Sequence, residues 1–437
     1  MKLRGSQAKR PDRHFGAPTS SVSGRHRGAF WFLWGAETVS MFGTQVNLIA
    51  VPLTAVELLG ASELEMGVLT AAGWLPVVFL GLLVGVWVDR GRPLPIMITA
   101  NLVRMLLIAL IPMAHLLGML NIWWLLGVAL SAGVFAVFFD VAYQTYVADV
   151  VSPDKLATAN SRLELSRSVA QLTGPALGGA LVSVLSAPDA LSLDAVSYGV
   201  ATLLLLPLLQ RRRATLDQCG TGSGPDDPPP ALLSLVREGL RFIRRHALIR
   251  AVVVAASASN FFISGVMALQ VLLAVKTLGM SATQLGLVLA VEGAGALLAA
   301  AVTPRLNAWC GEGALVLASL VLMAAGGVLM GTAAAFGHGG IWLFLAAQLM
   351  FGVSGPLINI SLVTLRQRLT PKELLGRVNA SARVAIMASL PLGSLVLGFV
   401  ATAIGISSTF IVIAVGLALV ALGALRPMRR IPRCVAP

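Results

Sequence analysis

Three carboxylates, Glu37, Asp140 and Glu292, stand out inside long apolar stretches of the chain. In a helix crossing lipid, each costs roughly 2.5–3.5 kcal/mol, so such groups are kept where they serve a purpose. No nucleophile–base arrangement or metal-ligand spacing surrounds them. The chemistry open to them is to take up and release a proton, to bind a cation, or to sit in a static pair. Glu37 heads a series with Ser40, Thr44 and Asn47, and steps of three, four and three put all of them on one helical face. A lone polar stripe on an apolar helix is expected to face a wet cavity. Asp140 has Tyr143 and Gln144 one turn on, and Glu292 sits within Val-Glu-Gly-Ala-Gly. Arg104 is a base at similar depth. A pair with Asp140, or snorkelling toward the membrane face, explains it as well as contact with a ligand does. Asn260 shares a face with Ser257 and Ser264, and Asn359 shares one with Gln348 and Gly352. These faces suit either a polar wall or hydrogen bonds between helices.

The elements that carry these residues are apolar runs of about 20 residues, enough to cross a hydrocarbon core as helix. Hydrophobic residues make up 57% of 437 and charged residues 12%, with mean hydropathy +0.85. Soluble domains carry about a quarter charged residues; the surface implied here needs lipid around it. The expected fold is an all-α membrane protein with twelve transmembrane helices in two parallel six-helix halves. The spans fall at 29–56, 65–88, 94–118, 122–149, 166–186, 189–209, 249–275, 283–303, 313–335, 340–366, 380–402 and 405–425.

Charge placement sets the expected orientation. Of the 32 Lys and Arg residues, only Lys276 falls in a loop on the second side and only Arg104 lies deep in a span. Glu57, Glu63, Glu65 and Asp189 gather on that second side. Both termini are therefore expected in the cytoplasm of a multi-pass cell-membrane protein. The same pattern accounts for the net charge of +13 without nucleic acid as a partner. Cys219, Cys310 and Cys434 all fall on the reduced side, with no disulfide or metal spacing among them. The first 28 or so residues read as a retained basic tail rather than a signal peptide.

The expected organisation is a tail at 1–28, a six-helix bundle at 29–209, a linker at 210–248, a second bundle at 249–425 and a tail at 426–437. The linker begins as flexible Gly/Pro-rich chain and ends in an amphipathic segment suited to the inner leaflet. Ser152–Leu156 (SPDKL) and Thr370–Leu374 (TPKEL) echo one another ahead of Arg167/Pro175 and Arg383/Pro391. Such a parallel duplication places a binding site at the interface of the halves.

The loop after the second span, Gly85 to Pro93, reads GVWVDRGRP. Gly85, Asp89 and Arg90 match the Gly-x-x-x-Asp-Arg signature of the major facilitator superfamily, which this chain resembles over nearly its whole length past residue 28. The resemblance implies a cytoplasmic gate at Gly85, Asp89 and Arg90, with Asp149 as partner of Arg90. In the fifth span, Gly174, Pro175, Gly178 and Gly179 match the end of the motif of drug–proton antiporters, although Ala170 stands where a further glycine is expected. The first and fifth spans are most similar to the macrolide-efflux and enterobactin-exporter branch. The family places spans one, four, seven, eight, ten and eleven around a cavity, which Glu37, Asp140 and Glu292 would line. The function implied by the resemblance is proton-coupled export of an amphipathic organic compound, by a monomer that needs no cofactor. An importer or uniporter of the same fold, and a membrane sensor or scaffold, are the alternatives. The fourth span offers Asp140 where many proton-coupled exporters carry an arginine, so proton coupling rests on the family and not on that residue. No phosphate-binding loop is present, against an ATP-driven pump.

Overall fold

The structure, a computed structural model, describes residues 21–152, 155–216 and 232–429. The first half is built from α1 (Ser21–Leu53), α2 (Glu63–Arg90), α3 (Pro93–Leu116), α4 (Ile122–Val150), α5 (Leu156–Leu185) and α6 (Ala187–Leu216). A shorter helix, α7 (Leu232–Arg245), precedes the second half. That half holds α8 (Ala247–Leu272), α9 (Ala282–Cys310), α10 (Glu312–Ala333), α11 (Gly340–Leu369), α12 (Leu375–Ile404) and α13 (Ile406–Arg429). All but α7 are long and apolar enough to cross a bilayer, which gives the twelve expected spans. Helices satisfy every backbone group internally, as lipid requires. The bare outer surface fits that solvent, with Trp87, Val184, Leu298 and Phe399 exposed.

Several helices outrun their apolar spans at the end that bears α7, called here the linker end. α1 starts at Ser21 rather than 29, α5 at Leu156 rather than 166, and α6 runs on to Leu216 past 209. The added turns are basic in α1 and α6 and polar in α5, and arginine is a good helix former wherever its head reaches water. The expected tail at 1–28 and the flexible part of the linker fall largely outside the described residues, as do Cys219 and Cys434.

The opposite, loop end carries a repeated device. α1 closes in a π turn, Thr54–Leu58, and α8 closes in another, Leu273–Thr277. Each leads to a glycine of positive φ, Gly60 at 66° and Gly279 at 64°, a conformation side chains adopt only with strain. Each next helix then starts with a capping box, Ser62 with Glu65 and Ser281 with Gln284. The sequences LGASELEMG (59–67) and LGMSATQLG (278–286) encode it twice.

The two halves meet along two seams, α2 against α12 and α5 against α9. Glycine makes both possible. A Cβ on Gly67 would lie 2.5 Å from the Ser394 carbonyl oxygen, and one on Gly179 would lie 2.4 Å from that of Ala282. Gly67 faces Gly398 as Gly286 faces Gly179, so the same contact is made in both seams. The loop end is further closed by Thr283 donating to Ser183 at 3.0 Å and by Lys276 Nζ donating to the Ala61 carbonyl at 2.7 Å. One apolar cluster crosses the halves here, joining Ile49, Leu53 and Val182 to Leu269, Leu273 and Leu397. Toward the linker end the core divides. Phe30, Leu94, Tyr146 and Leu163 pack in the first half only, and Ile249, Val253 and Val378 in the second only. Gly73, Gly81 and Gly85 of α2 face open space there. A gap between the halves therefore opens at the linker end.

The amphipathic segment sets part of its apolar face against the second half, while Leu240 stays exposed. Ile243 of α7 packs with Ile249, Val253, Val378 and Ala382, and Glu238 pairs with Arg377 at 2.6 Å. Gly239 makes room for the backbone of α12, since a Cβ there would lie 2.3 Å from the Arg377 carbonyl oxygen. Overfilling either inter-half seam is expected to lower stability by about 1–3 kcal/mol. Gly179→Val should show that loss in detergent melts, while Gly73→Ala, with open space around it, should melt as the parent does.

Candidate functional site

The acids of the first half gather where the gap begins. Asp140 and Gln144 are exposed on one face of α4, with Tyr143 beside them, partly buried and stacked on Phe139 at a centroid distance of 6.0 Å. Glu37 approaches from α1. The charges that act on it are Asp140, Arg104 and Arg167. Those acting on Asp140 are Arg104, Arg167 and, more weakly, Arg383 of α12 in the other half. Among the described residues, neither Glu37 Oε2 nor the Tyr143 hydroxyl has a hydrogen-bond partner, although both atoms are buried. Glu37 acts electrostatically on Tyr143, so a carboxyl and a phenol lie near one another with buried atoms unpaired, at a cost of about 1–3 kcal/mol each.

The rest of the α1 stripe goes elsewhere. Asn47 Nδ2 donates to Asp194 Oδ2 at 2.8 Å, and Thr44 Oγ1 lies 3.1 Å from the Tyr198 hydroxyl. Arg104 donates to that same hydroxyl and lies over the Tyr198 ring. Thr44 in turn donates to the Ser40 carbonyl at 3.0 Å, so the bonds run in one direction from Arg104 through Tyr198 and Thr44 to the α1 backbone. Thr44 and Asn47 thus bond to α6. Arg104 bonds Tyr198, not Asp140. The partners that decide this, Asp194 and Tyr198, were legible as a carboxylate and a phenol one turn apart within the sixth span, in step with Asn47 and Thr44. Gly43 allows the close approach: a Cβ there would lie 2.6 Å from Asp194 Oδ1.

In the second half, Gln348 Nε2 donates to Glu292 Oε2 and to Gln270 Oε1, both at 3.2 Å. Gly352 lets α11 approach the α9 backbone at Glu292, where a Cβ would be 2.2 Å from the Glu292 carbonyl oxygen. Asn359 is exposed on α11. The Asn260 amide donates to the Ile386 carbonyl at 3.3 Å and joins α8 to α12.

At the linker end Gly85 faces open space and Asp149 is exposed. The side chains of Asp89 and Arg90 lie outside the described residues. Gly174, Gly178 and Gly179 all serve close packing, the first two against Gln45 and Val46 of α1 and the third against α9, while the Pro175 carbonyl abuts Gly286. A shallow groove of about 410 Å³ between α3 and α4, at Leu107, Trp123 and Val128, lies on the outer surface and belongs to neither cluster of acids. Tyr198→Phe is expected to cost about 1–3 kcal/mol, because it leaves the buried Arg104 and Thr44 groups without their partner. Thermal unfolding of the purified variant measures this.

The model of the transmembrane secretion effector family matches residues 19–434. The MFS-type transporter YfiS of Bacillus subtilis (strain 168) is 28% identical, over 89% of this chain and 90% of that protein. The multidrug efflux pump Tap of Mycolicibacterium fortuitum is 26% identical over 88% and 92%. Macrolide efflux protein A of Streptococcus pyogenes is 20% identical over 87% and 91%. Among solved structures, a bacterial homologue of the iron transporter ferroportin in an inward-facing state superposes with a TM-score of 0.72 at 15% identity, covering 92% of this chain and 99% of that one. The fold, its two symmetric seams and these matches agree: the chain belongs to the transmembrane secretion effectors of the major facilitator superfamily, and is a multi-pass membrane transporter.

Proposed function

We propose that this protein is a proton-coupled exporter that moves a small amphipathic, cationic organic compound out of the cell by alternating access. The observation that carries the reading is the cluster of Glu37, Tyr143 and Asp140 where the gap begins, with buried polar atoms of Glu37 and Tyr143 left unpaired. Apolar walls with few acids suit a compound that is mostly hydrocarbon with a positive group. Names of relatives that efflux drugs support the direction.

With the basic linker end taken as cytoplasmic, the gap opens inward. Cargo entering from the cytoplasm or inner leaflet meets Asp140 and Gln144 first. Its positive group then competes with a proton for Glu37 and Asp140, and this competition is what couples export to proton entry. Glu292 supplies a second ion-binding acid in the other half, and Asn359 part of the facing wall. When the inner end shuts, Gly85 permits close approach while Asp89 and Arg90, with Asp149, form the latch. The seam at Gly174, Pro175, Gly178 and Gly179 keeps the outer end closed until then. On this reading the halves are units near 29–209 and 249–425, working as a monomer in the cell membrane with both termini inside.

Glu37→Gln is expected to lower gradient-driven drug uptake into everted vesicles by about tenfold or more while drug binding persists, since a neutral amide cannot exchange a proton. Transport that survives both the variant and collapse of the gradient overturns the coupling. Opening of the outer end must break the Lys276 bond to Ala61. Lys276→Met is therefore expected to speed maleimide labelling of Thr283→Cys severalfold, in a background with the three native cysteines replaced.

A further inference from the structure

We infer that the arginine face of α7 is a docking surface for the anionic phospholipid headgroups of the leaflet at the linker end. This surface is independent of the export reading. Gly239 and Ile243, one turn apart, face the second half. Gly239 meets the backbone of α12 at Arg377, and Ile243 packs with Ile249, Val253, Val378 and Ala382. Arg237, Arg241, Arg244 and Arg245 follow at steps of four, three and one, which gathers them on the opposite side of the helix. All four are exposed, and none has an acidic partner among the described residues. Glu238, the one acid of α7, is held by Arg377 at 2.6 Å. Arg250 adds a fifth exposed charge, and its guanidinium donates to the Arg244 carbonyl at 2.9 Å, which ties it to the same end.

Depth and an apolar neighbour select the partner. α12 has 30 residues, about 45 Å of helix, against a hydrocarbon core of about 30 Å. Its first turns, which α7 contacts between Arg377 and Ala382, therefore stand at the level of the headgroups. Only His246 separates α7 from the membrane helix α8, so α7 is held to that level at its other end too. Leu240 lies one turn from both Arg237 and Arg244 and is 41% exposed. An apolar side chain among arginines suits the boundary between headgroups and acyl chains and is out of place on a surface built for a soluble polyanion. The guanidinium fork matches phosphate oxygens, and each basic residue at an anionic leaflet adds about fivefold in binding. α12 also forms one of the two seams between the halves, so a lipid held here bears directly on their joint.

The test places the full chain in phosphatidylcholine nanodiscs, with a fluorophore on Leu240→Cys and the three native cysteines replaced. Each disc also holds the same small fraction of a lipid bearing a nitroxide near its headgroup, either phosphatidylglycerol or phosphatidylcholine. Labelled phosphatidylglycerol is expected to quench the fluorophore severalfold more than labelled phosphatidylcholine. Sodium chloride should erase that preference, and Arg241→Gln should cut it about fivefold. Changing Arg237, Arg241, Arg244 and Arg245 together to Gln should abolish it, while Arg426→Gln with Arg429→Gln should leave it intact. Equal quenching by the two lipids, or a preference that survives high salt or the fourfold change, overturns the surface. Should the fourfold variant fail to fold, the salt dependence of the parent and Arg241→Gln decide in the same way. Inorganic phosphate that removes the preference, where sodium chloride of equal ionic strength does not, overturns the lipid in favour of free phosphate. None of these readouts needs transport. A lipid preference without drug export overturns only the export reading, and export without a lipid preference overturns only this surface.

Discussion

Backbone touching backbone at glycine is the contact on which the molecule turns. Lipid offers no hydrophobic force to press helices together, so their association relies on close van der Waals fit, which small residues permit. Gly67 against Gly398 and Gly179 against Gly286 bring the halves together at the loop end. The surrounding apolar cluster is continuous across the halves only at that end. The gap, the exposure of Asp140 and the separate cores at the linker end all follow from where these contacts stop. The glycines of the fifth helix are thus packing residues first, whichever ion or cargo the protein carries.

Polar groups inside the bundle serve first to fasten helices. The Arg104–Tyr198–Thr44 chain and the Asn47–Asp194 bond tie α1 and α3 to α6. Glu37, Tyr143 and Gln348 keep buried atoms without partners, and so does Arg104 at Nε. Each such atom is costly in an apolar medium.

Much of the fold was legible because its signals are coarse and repeated. Runs of apolar residues set the spans, and basic residues marked one end. The helix ends were not legible, because the polar first turns of α5 and the arginine-rich last turns of α6 stay helical outside the apolar layer. The amphipathic segment was recognised, but Ile243 on it packs with α8 and α12, since hydrophobic periodicity does not say what a face packs against. At the candidate site, Glu37, Asp140 and Glu292 stood out as acids within apolar spans. The bonds of Thr44 and Asn47 to α6 were missed because Asp194 and Tyr198 had not been placed opposite them. The echo of residues 59–67 in 278–286 was also in plain view; its meaning needs the paired turns of positive φ to be seen.

Those paired turns have a consequence for the ancestry of the molecule. A duplicated chain begins as two identical copies, and identical copies put the same charge at matching places. Three residues before each of the two glycines stand Glu57 and Lys276, opposite in sign. Only the lysine is a donor, and so only it can bond the carbonyls that the other copy's turn presents. Divergence at one position has converted a two-fold arrangement of equals into a polarised one, in which the second copy holds the first and is not held in return.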